Sequence, residues 1–274
     1  MRNAPTTDVV KVTPAQAAKW LAMSNTHNRA IRESKVALYA RDMSSGAWKF
    51  NGDTVRFAAD GTLLDGQHRL HAIVRSGVTV PFVVVRGLDI DAQDTMDIGA
   101  HRALRDQLLL RGEHNSGFIA AISRRALLLE RGQVTSSGWS FAPSHAEMIA
   151  YIDANPDIRR ASEIAVRAHG KLPAAPSAIG TAFLTCARVN ESDAETFYVS
   201  QIIDGLGLFD TDPAYVLRQR LQREVMTTGR KMEPDDVYRY CILAWNHYRG
   251  RTGKITKLQA PKGGWGSAPA PQPK

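Results

Sequence analysis

Strand-forming sequence in this chain ends before Asn115, and the remainder is patterned almost entirely for helix. Upstream, Thr54 to Ala58 alternates around Val55 and Phe57, Thr62 to Leu64 comes next, and Asp60-Gly61 between them is a strong hairpin signal. After Asp65-Gly66 the period changes. Leu70, Ile73 and Val74 fall at helical spacing, Gly77 closes that helix, and Val80 to Val85 is a β-branched run. Ahead of this hairpin-helix-strand unit, Thr13-Pro14-Ala15-Gln16 is a capping box leading into Ala17, Ala18 and Leu21. Ser24 to Arg29 is polar and loop-like. A second helix runs from near Arg32 to near Gly46, with Val36, Tyr39, Ala40 and Met43 on one face.

Helices are predicted downstream over 118–131, from the capping box Ser144-His145-Ala146-Glu147, and over 157–169, 177–189, 192–204, 212–227 and 234–248. Strands succeeded by a run of helices give an α+β class. The expected organisation is a small N-terminal domain over 1–112, an all-helical domain over 113–261, and a Gly/Pro/Ala-rich disordered tail over 262–274. Gln133 to Pro143 is the expected linker.

Hydrophobic residues make up 43% of the 274, enough for a core without staples. Cys186 and Cys241 sit in apolar helical stretches with no CxxC spacing and no histidine pair, which argues against a disulfide scaffold or zinc site. No run approaches the roughly 18 apolar residues of a membrane span, and the first residues lack a signal-peptide core, so a soluble, cytoplasmic protein is expected. The net charge is +8. Seven basic residues and no acid lie between Val237 and Lys274, leaving only +1 for the remainder.

A strand ending in Leu63-Leu64, then a carboxylate, a glycine and a helix opening at Gln67, describes an anion site in physical terms. The first N–H groups of such a helix have no intrahelical partner, and the helix dipole favours negative charge there. Gly66 lets a ligand approach the backbone. Arg69 offers a planar, permanently charged fork for phosphate oxygens, and His68 a donor whose charge changes near neutral pH. Asp65 suits a Mg²⁺ accompanying a nucleotide, or proton abstraction from an attacking hydroxyl. The same residues also read as a plain helix start, with Asp65 as cap and His68 and Arg69 as solvated first-turn side chains.

Leu64-Asp65-Gly66-Gln67-His68-Arg69-Leu70, in this hairpin-helix-strand setting, resembles the signature of the ParB/sulfiredoxin-like superfamily over roughly Val9 to Leu110. Asn28-Arg29, Gly46-Ala47-Trp48 and Asp97-Ile98-Gly99-Ala100-His101-Arg102 further resemble a subgroup common in bacteriophage genomes, labelled "ParB-like nuclease domain". The resemblance implies that fold for the N-terminal domain, with Gly66, Gln67, His68 and Arg69 on nucleotide phosphates, ATP or CTP as nucleotide, and Mg²⁺ at Asp65. It also implies Arg29, in a loop that can close over the nucleotide, and Arg102, at a strand-to-helix transition, as accessory phosphate ligands. A solvated loop arginine and an ion pair with Asp97 are their structural alternatives.

The chain departs from the better-known branches. Sulfiredoxins have a reactive cysteine directly before the His-Arg pair, where this chain has Gln67, so sulfinic-acid reduction is excluded. Chromosome-partitioning relatives have Glu-Arg-Arg after the glycine. The Asp-Gly-x-His-Arg form is closer to free-serine kinases of the fold, which implies a catalytic role for Asp65. Gly250 to Ile255 lacks the glycine spacing, hydroxyl and preceding strand of a P-loop, and no paired carboxylates at metal spacing support a nuclease.

These residues support two main readings. One is a phage- or mobile-element-type switch that binds an NTP with Mg²⁺ and engages DNA or a protein; the other is a phosphotransferase with Asp65 as base. DNA cleavage ranks behind both. DNA is a candidate partner of the basic tail, where Trp245, Tyr248 and Trp265 interleave with Arg249, Arg251, Lys254 and Lys257. Helical spacing instead places Trp245 and Tyr248 on the core face of the last helix. A homodimer is also admitted, and no membrane partner is expected.

Overall fold

A strand absent from the sequence reading, β1 (Thr6–Val12), opens the fold. Only Val12 of its side chains is buried, while Asp8, Val9 and Lys11 face outward, so it lacks the alternation that marks a strand with one covered face. It pairs at the sheet edge, antiparallel to β4 (Val80–Leu88), with Val10 opposite Phe82 and Val12 opposite Val80. The computed structural model describes residues 4–25, 28, 30–96, 103–133, 142–250, 254–262, 264–265 and 270–274.

Between β1 and β4 lie α1 (Pro14–Ser24), α2 (Glu33–Ser44), β2 (Thr54–Ala58), β3 (Leu63–Asp65) and α3 (Gln67–Ser76). The sheet order is β1-β4-β2-β3. β2 runs parallel to β4 and antiparallel to β3, and a register irregularity falls at Arg56 and Phe57. Thr13 caps α1 as its sequence demands, its side chain accepting from the Gln16 amide at 3.2 Å. Trp20, Val36, Met43, Phe57, Leu70, Ile73 and Phe82 fill one core, with Trp20 edge-on to Phe57 at 5.2 Å. Val74, placed on the apolar face by its spacing, is exposed. A 3₁₀ turn, Ile90–Thr95, comes after β4.

The chain divides into two compact units. The first is Met1–His101 with Trp139–Glu147, and the second is Arg102–Gly138 with Met148–Lys274. Among the described residues the second unit carries no strand, so the chain is α+β. Its helices are α4 (Leu104–Leu110), α5 (Ser116–Glu130), most of α6 (His145–Ala154), α7 (Ile158–Ala168), α8 (Pro176–Ala187), α9 (Glu191–Ala194), α10 (Pro213–Thr228) and α11 (Pro234–Gly250). α9 runs directly into a π-helical stretch, Glu195–Ile203. Ile122, Ile164, Phe183, Phe197, Tyr198 and Trp245 centre the second core.

Helices α7 and α8 meet at Gly180, where an added Cβ would lie 2.7 Å from the Ala161 carbonyl oxygen and 2.7 Å from Ile122 Cδ1. Most of the expected linker, residues 134–141, lies outside the described residues. Within the segment read as tail, Trp265 is buried edge-on against Tyr240 at 5.6 Å, and Ala270 packs on the second core. Among the described residues no helix is long and apolar enough to cross a membrane.

Candidate functional site

The turn from β3 into α3 is built by the hairpin before it. Ala58 N donates to Thr62 O at 2.8 Å, Thr62 N to Asp60 Oδ1 at 2.9 Å, and the returning strand buries Leu63 and Leu64. Gly66 then adopts φ +106°, and an added Cβ would lie 3.2 to 3.3 Å from three atoms of Val55 on β2. Glycine is required here by both backbone conformation and packing. No side chain caps α3, and its first intrahelical bond runs from Leu70 N to Gly66 O at 3.0 Å. The earlier amides of the turn therefore have no carbonyl within the helix to bond.

Around that turn the side chains are tied together. Arg69 Nη2 donates to Asp65 Oδ2 at 2.8 Å and to the Thr54 carbonyl at 2.7 Å, and Arg56 lies 3.8 Å from the same carboxylate oxygen. The side chains of Asp65 and Arg69 are only 18% and 17% exposed, so the pair is shielded well beyond an ordinary surface bridge. Arg69 Nε is buried without a hydrogen-bond partner. His68 is buried, and its Nε2 accepts the Arg32 amide at 3.1 Å, which requires the ring to carry no proton on that nitrogen.

Gln67, also buried, accepts from Asn25 Nδ2 through Oε1 at 3.4 Å. Asn28 Nδ2 donates to Asn25 Oδ1 at 2.8 Å and to the Leu63 carbonyl at 2.6 Å. Gln93 Nε2 donates to Asn28 Oδ1 at 3.2 Å and to the Leu64 carbonyl at 2.9 Å. Asn25, Asn28 and Gln93 thus form an amide clamp on β3. Gln93 is absent from the sequence reading, and Asn25 and Asn28 enter it only as part of the polar loop 24–29, because the clamp joins residues far apart in the chain.

Asp65, Gly66, Gln67, His68 and Arg69 are therefore brought together, with Asp65 and Arg69 directly paired. Arg29 and Arg102 lie outside the described residues, as do Asp97 and His101. Among the described residues no group of three or more His, Cys, Asp or Glu is placed to hold a metal ion. A nucleotide-borne Mg²⁺ needs only one or two protein carboxylates beside the phosphates, and Asp65 could supply one on release from Arg69.

A second polar cluster in the first unit surrounds the start of α6. Ser144 Oγ donates to Asp42 Oδ1 at 2.6 Å, Ser144 N donates to Glu147 Oε2 at 2.5 Å, and Glu147 N donates to Ser144 Oγ at 3.1 Å, completing the capping box. Arg41 Nη2 donates to the Ala142 carbonyl at 2.9 Å and lies 3.5 Å from Glu147. Burial pushes the Asp42 carboxyl up, partly offset by the Ser144 hydroxyl, and burial pushes the His145 imidazole down against the pull of Asp42. This cluster holds residues 142–147, which belong to the first unit, against α2.

In the second unit, burial lifts the Cys186 thiol to about 12, with Tyr198 Oη 3.4 Å away, and raises the Cys241 thiol as well. These are unreactive core thiols. Comparison with family models, with curated proteins and with solved structures finds no match to this chain.

Proposed function

We propose that the first unit binds a magnesium nucleotide at the turn into α3 and acts as a nucleotide-dependent switch, of the phage ParB-like type that its sequence resembles. The observation that carries this is Arg69: a shielded guanidinium at the first turn of an uncapped helix, with a buried Nε that has no acceptor. Arg41, Arg125 and Trp265 carry unsatisfied buried donors as well, and what sets Arg69 apart from them is its place in the first turn of an uncapped helix. The Asp65–Arg69 ion pair is the resting state of the site. A magnesium nucleotide carries both charges needed to replace that pair, with phosphate on Arg69 and the metal on Asp65. Metal-free nucleotide would leave the Asp65 carboxylate unpaired beside an anion, an arrangement that costs several kcal/mol in a shielded site.

The test is isothermal titration with ATP, CTP, GTP and ADP, with and without Mg²⁺. Binding should require Mg²⁺, fall roughly tenfold or more in Arg69→Ala, and lose its metal dependence in Asp65→Asn. No heat from any nucleotide, or equal binding with and without the metal, refutes the proposal. The engaged carboxylate favours binding over proton abstraction, and an assay for released ADP or CDP checks the point: nucleotide should be recovered intact.

For the output of the switch, Lys254, Lys257 and Lys262 are exposed tail cations open to DNA. Arg249 is paired with Asp193. A gel shift whose salt dependence flattens when the three lysines become alanine identifies DNA as the partner.

A further inference from the structure

Segment 270–274, Ala-Pro-Gln-Pro-Lys, is bound to the face of α11 through its backbone. The Asn246 side-chain amide donates from Nδ2 to the Gln272 carbonyl at 2.9 Å and accepts the Lys274 amide at Oδ1 at 2.9 Å. Trp245 Nε1 donates to the Lys274 carbonyl at 3.1 Å, with Arg249 Nε 3.4 Å from the same oxygen. One side-chain amide holding the carbonyl of one residue and the N–H two residues on is a way to hold an extended chain whatever its side chains. Prolines at 271 and 273 have no N–H, so past Ala270 only Gln272 and Lys274 offer backbone donors.

Trp245 is fully buried, so its indole N–H needs an acceptor, and the segment supplies one. Beside the segment is an open-sided cavity of about 200 Å³ walled by Ala126, Leu129, Thr185 and Tyr238 together with the polar side chains of Glu130 and Gln133, which Ala270 and Gln272 border without filling. Arg188 at its edge is held by Asp157 and Asn155 and serves as wall. The cavity's volume exceeds the roughly 150 Å³ that takes a benzene ring, so this space accommodates a side chain much larger than the methyl of Ala270.

We propose that this face of α11 is a peptide-binding groove for extended X-Pro-X-Pro-X segments of another protein, with a residue larger than alanine at the position of Ala270, and that 270–274 is its built-in competitor. The recognition is of the polyproline type, in which a pre-extended chain loses little entropy on docking. The cis segment lowers the groove's apparent affinity by the fraction of time that it is docked. Its alanine, in place of a cavity-filling residue, makes it a weak occupant that a better peptide displaces. This groove is independent of the nucleotide site.

The test uses the full chain. Lys274→Pro removes the N–H that Asn246 accepts and should release the segment, moving the Trp245 indole resonance in a ¹⁵N spectrum; Lys274→Ala, which keeps the N–H, should leave it in place. Labelled peptides Ala-Pro-Gln-Pro-Lys and Leu-Pro-Gln-Pro-Lys are then titrated by fluorescence anisotropy. The leucine peptide should bind roughly tenfold tighter than the alanine peptide, because it fills the cavity. Either should bind the Lys274→Pro chain roughly tenfold tighter than the unaltered one, and Asn246→Ala should abolish binding to both.

An indole signal unmoved by Lys274→Pro, peptide binding insensitive to Asn246→Ala, or a released groove that takes neither peptide overturns the proposal. So does a concentration-dependent dimer of the unaltered chain that dissociates in Asn246→Ala, which would assign the groove to segment 270–274 of a second copy.

Discussion

Gly66 and Gly61 both sit at positive φ, +106° and +89°, yet only Gly66 is crowded, with Val55 against the place where a Cβ would go. Alanine at either position incurs the left-handed penalty of about 1–2 kcal/mol. At Gly66 it must also displace β2, adding about 1 kcal/mol or more. Urea titrations should therefore rank Gly66→Ala clearly below Gly61→Ala in stability, and equal losses would remove the packing account of the turn. The five residues of that turn were legible in the sequence because they are contiguous and chemically unusual. Asp65 and Arg69 also stand at i and i+4 on the way into a helix, a spacing at which opposite charges meet. The clamp of Asn25, Asn28 and Gln93 was illegible, since amide side chains carry no periodicity and these close only when the 3₁₀ turn comes back to β3.

The packing of α7 against α8 sets helix propensity against sterics. Replacing Gly180 with alanine gains up to about 1 kcal/mol of propensity. The new methyl, however, would stand 2.7 Å from the Ala161 carbonyl, a fixed backbone atom, and forcing the helices apart costs about 1–3 kcal/mol. The clash wins, so Gly180→Ala should lower the melting temperature, while Gly117→Ala on α5, with open space around it, should be neutral or raise it. The start of α6 makes a second prediction, of sign. His145 is held below its ordinary value of 6.5 in the folded chain, so its contribution to stability is complete above that pH and is lost as pH falls through the lowered value. Melting temperatures taken from pH 8 to pH 5 should fall less steeply in His145→Gln, and parallel curves would sink the assignment. The helices themselves were readable from caps and period, within a residue or two at most ends. β1 escaped because an edge strand with one buried side chain shows no alternation, and α4 because seven residues give barely two turns of pattern.

Two hydrophobic cores that share no residue, one centred on Phe57 and Phe82 and the other on Phe183, Phe197 and Trp245, give each unit its own source of cooperativity. The change from strand to helix patterning falls near Asn115, after α4, whose seven residues already belong to the second unit. The sequence could not convey that residues 142–147 cluster with the first unit, because that return is a long-range contact with no local signature. The duality also makes the nucleotide proposal testable without any assay of function. A ligand that binds only the folded state stabilises it by about 2.7 kcal/mol at a hundred times its dissociation constant, and that stabilisation reaches only the residues that unfold with the site. Hydrogen exchange with saturating magnesium nucleotide should thus slow roughly a hundredfold for the most protected amides of β2, β4 and α3, where exchange requires the first unit to open. The amides of α7, α8 and α11 should be unchanged. Protection that rises equally in both units would make the two cores one cooperative system, and protection confined to the second would place the ligand away from Gly66.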